Sequence, residues 1–446
     1  MCNRSSAAHA VFVKYLLERA WMESCMAGLN FSTLETTIIP VYNLPTSWQL
    51  LVLGAIFGWL ILAQLTTFTK HVRGLVQPFV LRHVESEVPV LLAIQKYRQP
   101  QLDFFMGILA NLVSIEFYAL VLPMLFWHGH GKLARQLTLL MAVCLYVGNS
   151  LKDTVCAPRP PSPVRRVVSS GTEATSSAEY GLPSSHTINI ICFAGYVLYY
   201  LADQEMELVA FVTIAALFAA ITSLVIFGRL YLGMHSPIDV LAGCAIGTSL
   251  LFGWCNIDEY LDAFITSGEN VVSFWAAISI LALYAYPIPE SPTPSFGDHT
   301  AFNGVAFGIV TGVRRTFPLY HASTASTLAL APDVVLKTAL GIVTIVVAKE
   351  VSKYLATIFL PFICYLLEPL LGFRFQSSSY VKSMRKGISD DVGDRMETRK
   401  LGGVLKPFYR DDDLMDVDTG IRFVQYATLG WAVVELVPGI FSRLSL

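Results

Sequence analysis

Apolar runs of about 20 residues recur along this chain of 446 residues, and a helix of that length spans the hydrocarbon core of a bilayer. Hydrophobic residues make up 54% of the sequence and charged residues 14%. Soluble domains average roughly 25% charged residues. A very apolar soluble core is the alternative that this composition allows. The number and length of the apolar runs favour a protein with several membrane-spanning helices.

The apolar runs predict where the membrane helices lie. Clear runs occupy 50–66, 104–126, 135–151, 187–202, 208–227, 238–254, 271–287 and 334–349, a ninth occupies 354–371, and a weaker tenth occupies 422–441. The Gly-rich run 301–313 is shorter, which suits either a re-entrant segment or a tilted span. We therefore predict an all-α fold: a polytopic membrane helix bundle with a six-helix core and additional C-terminal transmembrane helices.

The segments between these runs are polar or rich in helix-breaking residues. Residues 8–22 alternate apolar and charged groups at helical spacing, which suits an interfacial helix or a soluble one. Residues 161–182 are rich in Pro, Ser and Gly, which predicts an ordered loop or lid, and residues 288–300 predict a second loop. Residues 374–421 form the one long soluble segment after the N-terminal region.

Composition also limits the kinds of partner and site. The net charge is −2, so no basic excess indicates binding to nucleic acid. The eight cysteines are scattered, and none of them belongs to a C-x-x-C pair. We interpret them as small core residues and not as a zinc site or a disulfide framework.

The charged residues near the first six runs cluster at three predicted helix ends. The segment LKDTVCAPRPP (151–161) follows the third run, LPSSHT (182–187) begins the fourth, and FGRLYLGMHSPID (227–239) joins the fifth to the sixth. Two membrane crossings separate the start of the fourth run from the end of the fifth. All three segments are therefore expected on one face of the membrane.

The cations of these segments suit a phosphate group. They are Lys152, Arg159 and Arg229, and Arg165 and Arg166 follow nearby. A single cation at a membrane boundary could be a snorkelling anchor. Three cations on one face favour an anion site, because arginine binds phosphate in a bidentate manner and lysine adds a point charge.

Two serines extend this predicted anion site. Ser184 and Ser185 offer hydroxyl groups beside the cations. If Pro183 ends the loop, the backbone N–H groups of Ser185 and His186 lie at a helix N-terminus. Such termini bind anions through their free donors and the helix dipole.

His186 and His235 supply acid–base and nucleophilic groups on the same face. One imidazole can attack phosphorus to form a phosphohistidine, and the other can protonate the leaving alkoxide and then activate water. Asp239 follows His235 by four residues, which places the two on one helix face. A carboxylate there would orient the imidazole, so we predict His235 as the nucleophile and His186 as the acid. Asp239 also fits a capping box with Ser236, and both roles are compatible.

The sequence does not indicate a metal site. Asp153, Asp203 and Asp258 are isolated along the chain, and no His/Cys ligand spacing is present. The predicted cations already supply the positive charge that Mg²⁺ would bring. We therefore expect a reaction without a metal ion or other cofactor.

Together these motifs resemble the three-part signature of the type 2 phosphatidic acid phosphatase superfamily. In the first motif, six residues separate Lys152 from Arg159-Pro160. The second motif is Pro183-Ser184-Ser185-His186. In the third, five residues separate Arg229 from His235, and three more separate His235 from Asp239. The resemblance covers about 104–255 and is looser beyond residue 256. It implies a membrane phosphatase core at 50–255, after an N-terminal region at 1–49 and before additional transmembrane helices and loops at 256–446.

The resemblance implies the same roles for these residues. Phosphoryl oxygens would be bound by Lys152, Arg159, Arg229, Ser184 and the amide of Ser185, with His186 as acid and His235 with Asp239 as the nucleophile pair. Two positions depart from the usual pattern. Ser185 stands where the family usually has Gly, so it needs an allowed φ. Gly228 stands where the family usually has Ser, which removes one hydroxyl donor.

Within the superfamily, YGLPSSHT and GRLYLGMHSPIDVLAG look most like sphingosine-1-phosphate or long-chain base phosphate phosphatases. That likeness implies a lipid phosphate substrate taken from the bilayer, contact with membrane lipids, and residence in the endoplasmic reticulum. If the N-terminus is cytosolic, the third span ends in the lumen and the active site is lumenal. The alternatives are a phosphatidic acid or polyprenyl diphosphate phosphatase, a haloperoxidase-like enzyme, and a membrane transporter, although no inverted repeat supports the last.

Overall fold

The computed structural model describes residues 46–166, 179–204, 206–291, 293–321, 332–371 and 417–444. The described chain is helical, which confirms the predicted all-α class. Its helices are α1 Ser47–Leu65, α2 Phe68–Ser86, α3 Val88–Gln95, α4 Pro100–Asn111, α5 Ile115–Trp127, α6 Gly131–Val155, α7 Ser185–Ala202, α8 Leu208–Tyr231, α9 Pro237–Ser267, α10 Val271–Tyr284, α11 Ser295–Thr316, α12 Pro332–Leu371, α13 Val417–Trp431 and α14 Val437–Leu444. The helix predicted at 8–22 and most of the polar segment 374–421 lie outside the described residues.

Several described helices are suited to cross a membrane. Four are long and apolar enough by themselves: α7, α8, α9 and the stretch Val417–Leu444. Two bent pairs add up to two more, one formed by α1 with the helical segment Phe68–Gln95 and the other by α4 with α5. The molecule is therefore a polytopic membrane helix bundle. The division at 49/50 and 255/256 stays a prediction, and α9 runs without a break through the second boundary.

Three of the predicted runs differ from the helices observed. The single span expected at 104–126 is two helices, α4 and α5, which meet at an angle of 49°. The break occurs because Ser114 caps a new helix, its hydroxyl accepting the N–H of Phe117. The runs 334–349 and 354–371 are instead parts of one helix of 40 residues. The polar residues between them lower hydropathy but include no Pro or Gly to end a helix.

The segment 67–103, which lies between the first two apolar runs, contains α2 and α3. Val80 and Val84 on α2 are buried against Val155 and Ala157, at the end of α6. The side chain of Arg73 on α2 donates to the carbonyl oxygens of Asp153 and Thr154, both at 2.9 Å. These helices therefore brace the segment 151–161 from outside.

Helix α6 lies at the centre of the bundle. It contacts α2, α5, α7, α9 and α11, and Leu137, Leu140 and Met141 on it are fully buried. On α9, Gly243 faces α7 so closely that an added Cβ would lie 2.9 Å from the carbonyl oxygen of Ser184. Small residues at such crossings let membrane helices approach each other. The start of α7 is thereby held beside the first turns of α9.

The Gly-rich run 301–313 is part of a continuous helix of 22 residues, α11. Gly304, Gly308 and Gly312 recur every four residues on this helix. An added Cβ at Gly304 would lie 2.6 Å from the carbonyl oxygen of Phe423 on α13. This spacing of small residues is typical of closely packed membrane helices. Because α11 also packs on α6, the C-terminal helices belong to the same bundle as the core.

Candidate active site

Backbone hydrogen bonds join the three polar segments at one end of the bundle. The N–H of Gly181 donates to the carbonyl oxygen of Ala157 at 2.7 Å, which links the second segment to the first. The N–H of Ser184 donates to the carbonyl oxygen of Asp239 at 3.0 Å, which links the second to the third. Segments separated by many residues therefore meet at one place, as the order of the predicted spans requires.

Residues at the ends of α2 and α3 fix the third segment and the loop that follows the first. The amide of Gln95 donates to the carbonyl oxygens of Arg165 and Tyr231, at 2.8 and 3.3 Å. The carboxylate of Glu87 accepts the N–H of Ile238 at 3.0 Å. No motif marks Glu87 or Gln95, since their partners lie 70 to 151 positions away.

Three cations form a buried cradle at this end of the bundle. Lys152 is on the last turn of α6, Arg159 is in the following loop, and Arg229 is on the last turn of α8. They are 2%, 4% and 1% exposed. Burial of three like charges is unfavourable unless an anion compensates them. The cluster therefore fits an anion-binding site better than it fits membrane anchors.

Glu179 lies inside this cradle, and sequence reasoning did not identify it. Its Oε2 is 2.7 Å from Nζ of Lys152 and 3.5 Å from Nη2 of Arg159. Burial opposes ionisation of Glu179, but the charges of Lys152 and Arg159 hold its pKa below the ordinary value. An ionised carboxylate thus neutralises part of the cradle. The one signal in the sequence is its position directly before YGLPSSH.

Arg165 and Arg166, which follow the first segment, do not join the described cradle contacts. Both side chains are exposed. The guanidinium of Arg166 donates to the carbonyl oxygens of Arg159 and Pro160, at 3.4 and 3.0 Å. The backbone N–H of Arg165 donates to Gln95 at 3.1 Å. Their contacts hold the loop in place.

His235 is buried between a cation and a carboxylate. Its Nε2 is 3.3 Å from Nη1 of Arg159, and its Nδ1 is 3.6 Å from Oδ2 of Asp239. A guanidinium can only donate, so Nε2 carries the lone pair and the proton resides on Nδ1, facing the carboxylate. Burial and then the charges of Arg159 and Arg229 lower the pKa of His235 well below its ordinary value. The imidazole is therefore neutral near pH 7, with its free nitrogen towards the cradle.

Asp239 has two contacts at the start of α9. Besides its approach to His235, its Oδ2 accepts the backbone N–H of Ser236 at 2.8 Å, one half of the expected capping box. Pro237 occupies the first turn, where proline is well tolerated. The helix start and the orientation of His235 thus depend on the same carboxylate.

The second segment begins α7, with Ser184 as its N-cap residue. The buried Ser184 hydroxyl accepts a hydrogen bond from the Thr187 hydroxyl at 3.0 Å, and the hydroxyl of Ser185 donates to the side chain of Asn149 at 3.4 Å. Ser185 begins a helix and is not among the described non-glycine residues with positive φ, so replacing Gly costs no backbone strain there. The first-turn amides remain suited to an anion.

His186 is half-buried on the first turn of α7. It lies within electrostatic reach of Lys152, Arg159 and Arg229, and it acts in turn on His235. The structure therefore brings all the predicted residues to one end of the bundle. Their individual roles remain proposals.

The C-terminal part of the chain reaches the same region through Asp153. This carboxylate accepts the hydroxyl of Tyr286 at 2.7 Å and the hydroxyl of Thr293 at 3.1 Å. Asn149, one turn earlier on α6, donates to the carbonyl oxygen of Ser295 at 3.3 Å. Asp153, isolated in sequence, thus has partners in the segment before α11 and not in the cradle.

Among the described residues, no group of three or more His, Cys, Asp or Glu side chains is arranged to hold a metal ion. The acidic residues at the cradle contact cations or helix termini, as given above. The positive charge that the described cradle offers to an anion comes from Lys and Arg side chains.

Comparisons with known proteins agree with this geometry. A profile of the PAP2 superfamily matches residues 133–263, from α6 to α9. Lipid phosphate phosphatase delta of Arabidopsis thaliana is 45% identical over 410 residues, 90% of this chain and 97% of that protein. A dihydrosphingosine 1-phosphate phosphatase of Schizosaccharomyces pombe is 26% identical over 390 residues, 84% of this chain and 92% of that protein.

A solved transmembrane PAP2-type phosphatidylglycerolphosphate phosphatase from Bacillus subtilis aligns with 47% of this chain and 96% of its own, at a TM-score of 0.33 and 20% identity. The extent and identity of the Arabidopsis match decide the family. The expected resemblance is thereby confirmed. The chain belongs to the PAP2 superfamily and is a membrane phosphoric monoester hydrolase of the lipid phosphate phosphatase kind.

Proposed function

We propose that this enzyme hydrolyses long-chain (sphingoid) base 1-phosphates through a phosphohistidine on His235, without a metal ion. The observation that carries the mechanism is the placement of His235, with Nε2 at 3.3 Å from Arg159 and Nδ1 at 3.6 Å from Asp239. The substrate class is supported by two signatures in the sequence and by the names of relatives such as the dihydrosphingosine 1-phosphate phosphatase of S. pombe.

In the first step the lone pair on Nε2 of His235 attacks phosphorus, and the bond from phosphorus to the ester oxygen breaks. The bound phosphate favours the protonated form of His186, which donates this proton to the departing alkoxide, and the alcohol leaves. Lys152, Arg159 and Arg229 hold the other phosphoryl oxygens while negative charge develops on them. The amides at the start of α7 add donors to the same oxygens.

In the second step His186, now neutral, takes a proton from water. The water oxygen attacks phosphorus and the bond to Nε2 breaks, which releases inorganic phosphate and restores His235. Asp239 stabilises the positive imidazole ring between the two steps. Phosphate is thus transferred twice, with His186 returning to its starting state.

Phosphatidic acid and polyprenyl diphosphates are the second candidate substrates. The observation in their favour is the name of the Arabidopsis relative, which specifies only a lipid phosphate. The phosphate-binding residues serve both classes equally. The difference must therefore lie in groups that contact the rest of the substrate.

A substrate panel tests the proposal. The purified full-length chain in mixed micelles would be offered sphinganine 1-phosphate, phosphatidic acid and a prenyl diphosphate, with phosphate release as the readout. We expect kcat/KM for sphinganine 1-phosphate to exceed the others by at least about tenfold, a transition-state difference near 1.4 kcal/mol. The His235→Ala protein controls for contaminating phosphatases. A preference for either of the other lipids would overturn the substrate assignment.

We also propose that the enzyme resides in the endoplasmic reticulum with its active site in the lumen. The contacts of Arg73 and Gln95 put the segment 67–103 on the same side as the cradle. With a cytosolic N-terminus and a crossing by α1, that side is lumenal. A cysteine placed at the exposed Lys96 should react with an impermeant thiol reagent only after the microsomal membrane is opened, with the wild-type chain as background. Labelling of the cysteine in sealed microsomes would show that the active site faces the cytosol.

A further inference from the structure

Glu179 places a negative charge where the enzyme binds a negative substrate. Its carboxylate contacts Lys152 and Arg159, at 2.7 and 3.5 Å, and the side chain is 11% exposed. The three described cradle cations are the residues assigned to phosphate binding. A buried carboxylate among them weakens the attraction for a phosphate dianion. Glu179 therefore opposes the binding of an anion unless it serves another part of the substrate.

The backbone keeps Glu179 at the cradle independently of its carboxylate. Nε of Arg159 donates to the carbonyl oxygen of Glu179 at 3.1 Å. Two residues later, the N–H of Gly181 donates to Ala157 at 2.7 Å. When a phosphate takes over Lys152, the Glu179 side chain can rotate, but its backbone stays. The carboxylate thus remains beside the bound phosphate and loses its nearest cation.

A substrate that carries its own cation next to the phosphate removes this conflict. In a sphingoid base 1-phosphate the amine is separated from the ester oxygen by two carbon atoms, and it is protonated at neutral pH. Its ammonium can replace Lys152 as the partner of Glu179 while the phosphate binds Lys152. The ion pairs are exchanged and none is lost.

We propose that Glu179 binds the ammonium group of a 2-aminoalkyl phosphate and thereby selects such lipids over phosphates that lack a neighbouring cation. This inference rests on the proposed function and adds the residue that enforces it. Phosphatidic acid would leave Glu179 unpaired beside a phosphate, and like charges at such distances penalise the wrong partner. The three cations cannot make this distinction, because both substrate classes present the same phosphate.

The test compares two substrates of equal chain length, and Glu179→Gln separates the effect of the amine from that of the 3-hydroxyl, which octadecyl phosphate also lacks. Sphinganine 1-phosphate carries the ammonium, and octadecyl phosphate does not. We expect the wild-type enzyme to prefer the first by about tenfold or more in kcat/KM, the scale of one hydrogen bond between charged groups. Glu179→Gln keeps the shape and removes the charge, so the ratio should fall by about tenfold, with a lower value for sphinganine 1-phosphate and a higher one for octadecyl phosphate.

Two variants serve as controls. Glu179→Asp keeps the charge and should keep a preference for the amine. Glu290→Gln makes the same chemical change at an exposed carboxylate that pairs with Arg73, outside the cradle, and should leave the ratio unchanged. Inhibition by inorganic phosphate measures how tightly the cradle binds an anion. Glu179→Gln should bind inorganic phosphate more tightly, because the carboxylate of Glu179 no longer competes for the cations.

A measurement on the wild-type enzyme alone tests the proposal even if the Glu179 variants do not fold. N-acetylation of sphinganine 1-phosphate removes the positive charge, and the wild-type enzyme should then lose about tenfold in kcat/KM. Equal rates for the acetylated and free amines would overturn the role of Glu179. An equal fall or an equal rise for both substrates in Glu179→Gln would also overturn it, since selectivity would be unchanged. In these cases the proposed function stands if the wild type still prefers sphinganine 1-phosphate to phosphatidic acid, and it fails separately if that preference is absent.

Discussion

Nη1 of Arg159 lies 3.3 Å from Nε2 of His235, and the guanidinium faces the lone pair of the imidazole. Nε of the same Arg159 also donates to the carbonyl oxygen of Glu179. A phosphate oxygen bound by Arg159 would therefore bring phosphorus next to the nitrogen that we propose attacks it. In the proposed mechanism, one arginine thus couples binding of the anion to the position of the nucleophile.

The two histidines should respond differently to the leaving group. His235→Ala should reduce phosphate release to background with every substrate, because no nucleophile remains. His186→Ala should lose about 10²–10⁴-fold with a lipid phosphate, whose alkoxide needs a proton. p-Nitrophenyl phosphate has a leaving group that departs without protonation, so His186→Ala should recover much of its rate there. His71→Ala, at an exposed position, is the matched control. If His235→Ala, and not His186→Ala, regains activity towards p-nitrophenyl phosphate, then His235 is the acid and His186 is the nucleophile.

Asp239→Asn should lower kcat by about 10–100-fold with a smaller change in KM, because the carboxylate orients His235 without touching phosphate. Asp258→Asn is the matched control on the same helix, since Asp258 is buried and accepts the hydroxyl of Tyr196 at 2.8 Å. That variant should lower the thermal stability in detergent and leave kcat unchanged. A normal kcat for Asp239→Asn would show that Asp239 only caps the helix and does not orient His235.

The acid limb of the kcat/KM profile should lie below pH 6.5. Burial and the neighbouring cations lower the pKa of His235, and its neutral form attacks, so activity falls only as pH drops through this lowered value. Arg159→Gln removes the nearest of these charges, and the limb should move to higher pH. The ionisation of the substrate is common to both enzymes, so the difference reports on the protein. Arg98→Gln, at a pair with Asp103 outside the cradle, should leave the limb in place. If the acid limb of Arg159→Gln stays at the wild-type pH, the charge of Arg159 does not set the pKa that controls activity.

Orthovanadate should inhibit in competition with substrate, because it adopts the trigonal-bipyramidal geometry of phosphorus during attack. Arg229→Gln should weaken this inhibition by at least about tenfold, since a charged donor is lost. EDTA should leave the rate unchanged. Activity that EDTA removes and Mg²⁺ restores would contradict a site in which Lys and Arg provide all the positive charge.

Gly233→Ala should impair both stability and activity. Gly233 has a φ of +67°, and an added Cβ would lie 2.5 Å from the carbonyl oxygen of Arg165. The strain is expected to cost about 1–3 kcal/mol, and it falls two residues before His235. Gly253→Ala on α9 is the control, because nothing lies within 4 Å of its added Cβ. Thermal unfolding in detergent and phosphate release would be measured together. Equal behaviour of the two variants would show that the turn at Gly233 tolerates a side chain.

Much of the site could be predicted because its signals are local in the sequence. The residue types and spacings around Lys152, Ser184 and His235 identify phosphate chemistry, and the apolar runs place these segments on one face. The chemistry of each residue does not depend on knowledge of the fold. What remained open was the set of partners outside the motifs, such as Glu87 and Gln95, since hydropathy reports burial and not contact.

The sequence by itself determined the helical class, the family and the residues that gather at the site, because apolar periodicity and motif spacing act over a few turns. The tertiary structure alone decided that α11 packs between α6 and α13, that Tyr286 and Thr293 hold Asp153, and that Glu179 enters the cation cradle. These contacts join residues 27 to 140 positions apart or whole helices. They depend on how closely helices approach and on which charges share a buried space, neither of which a single segment encodes.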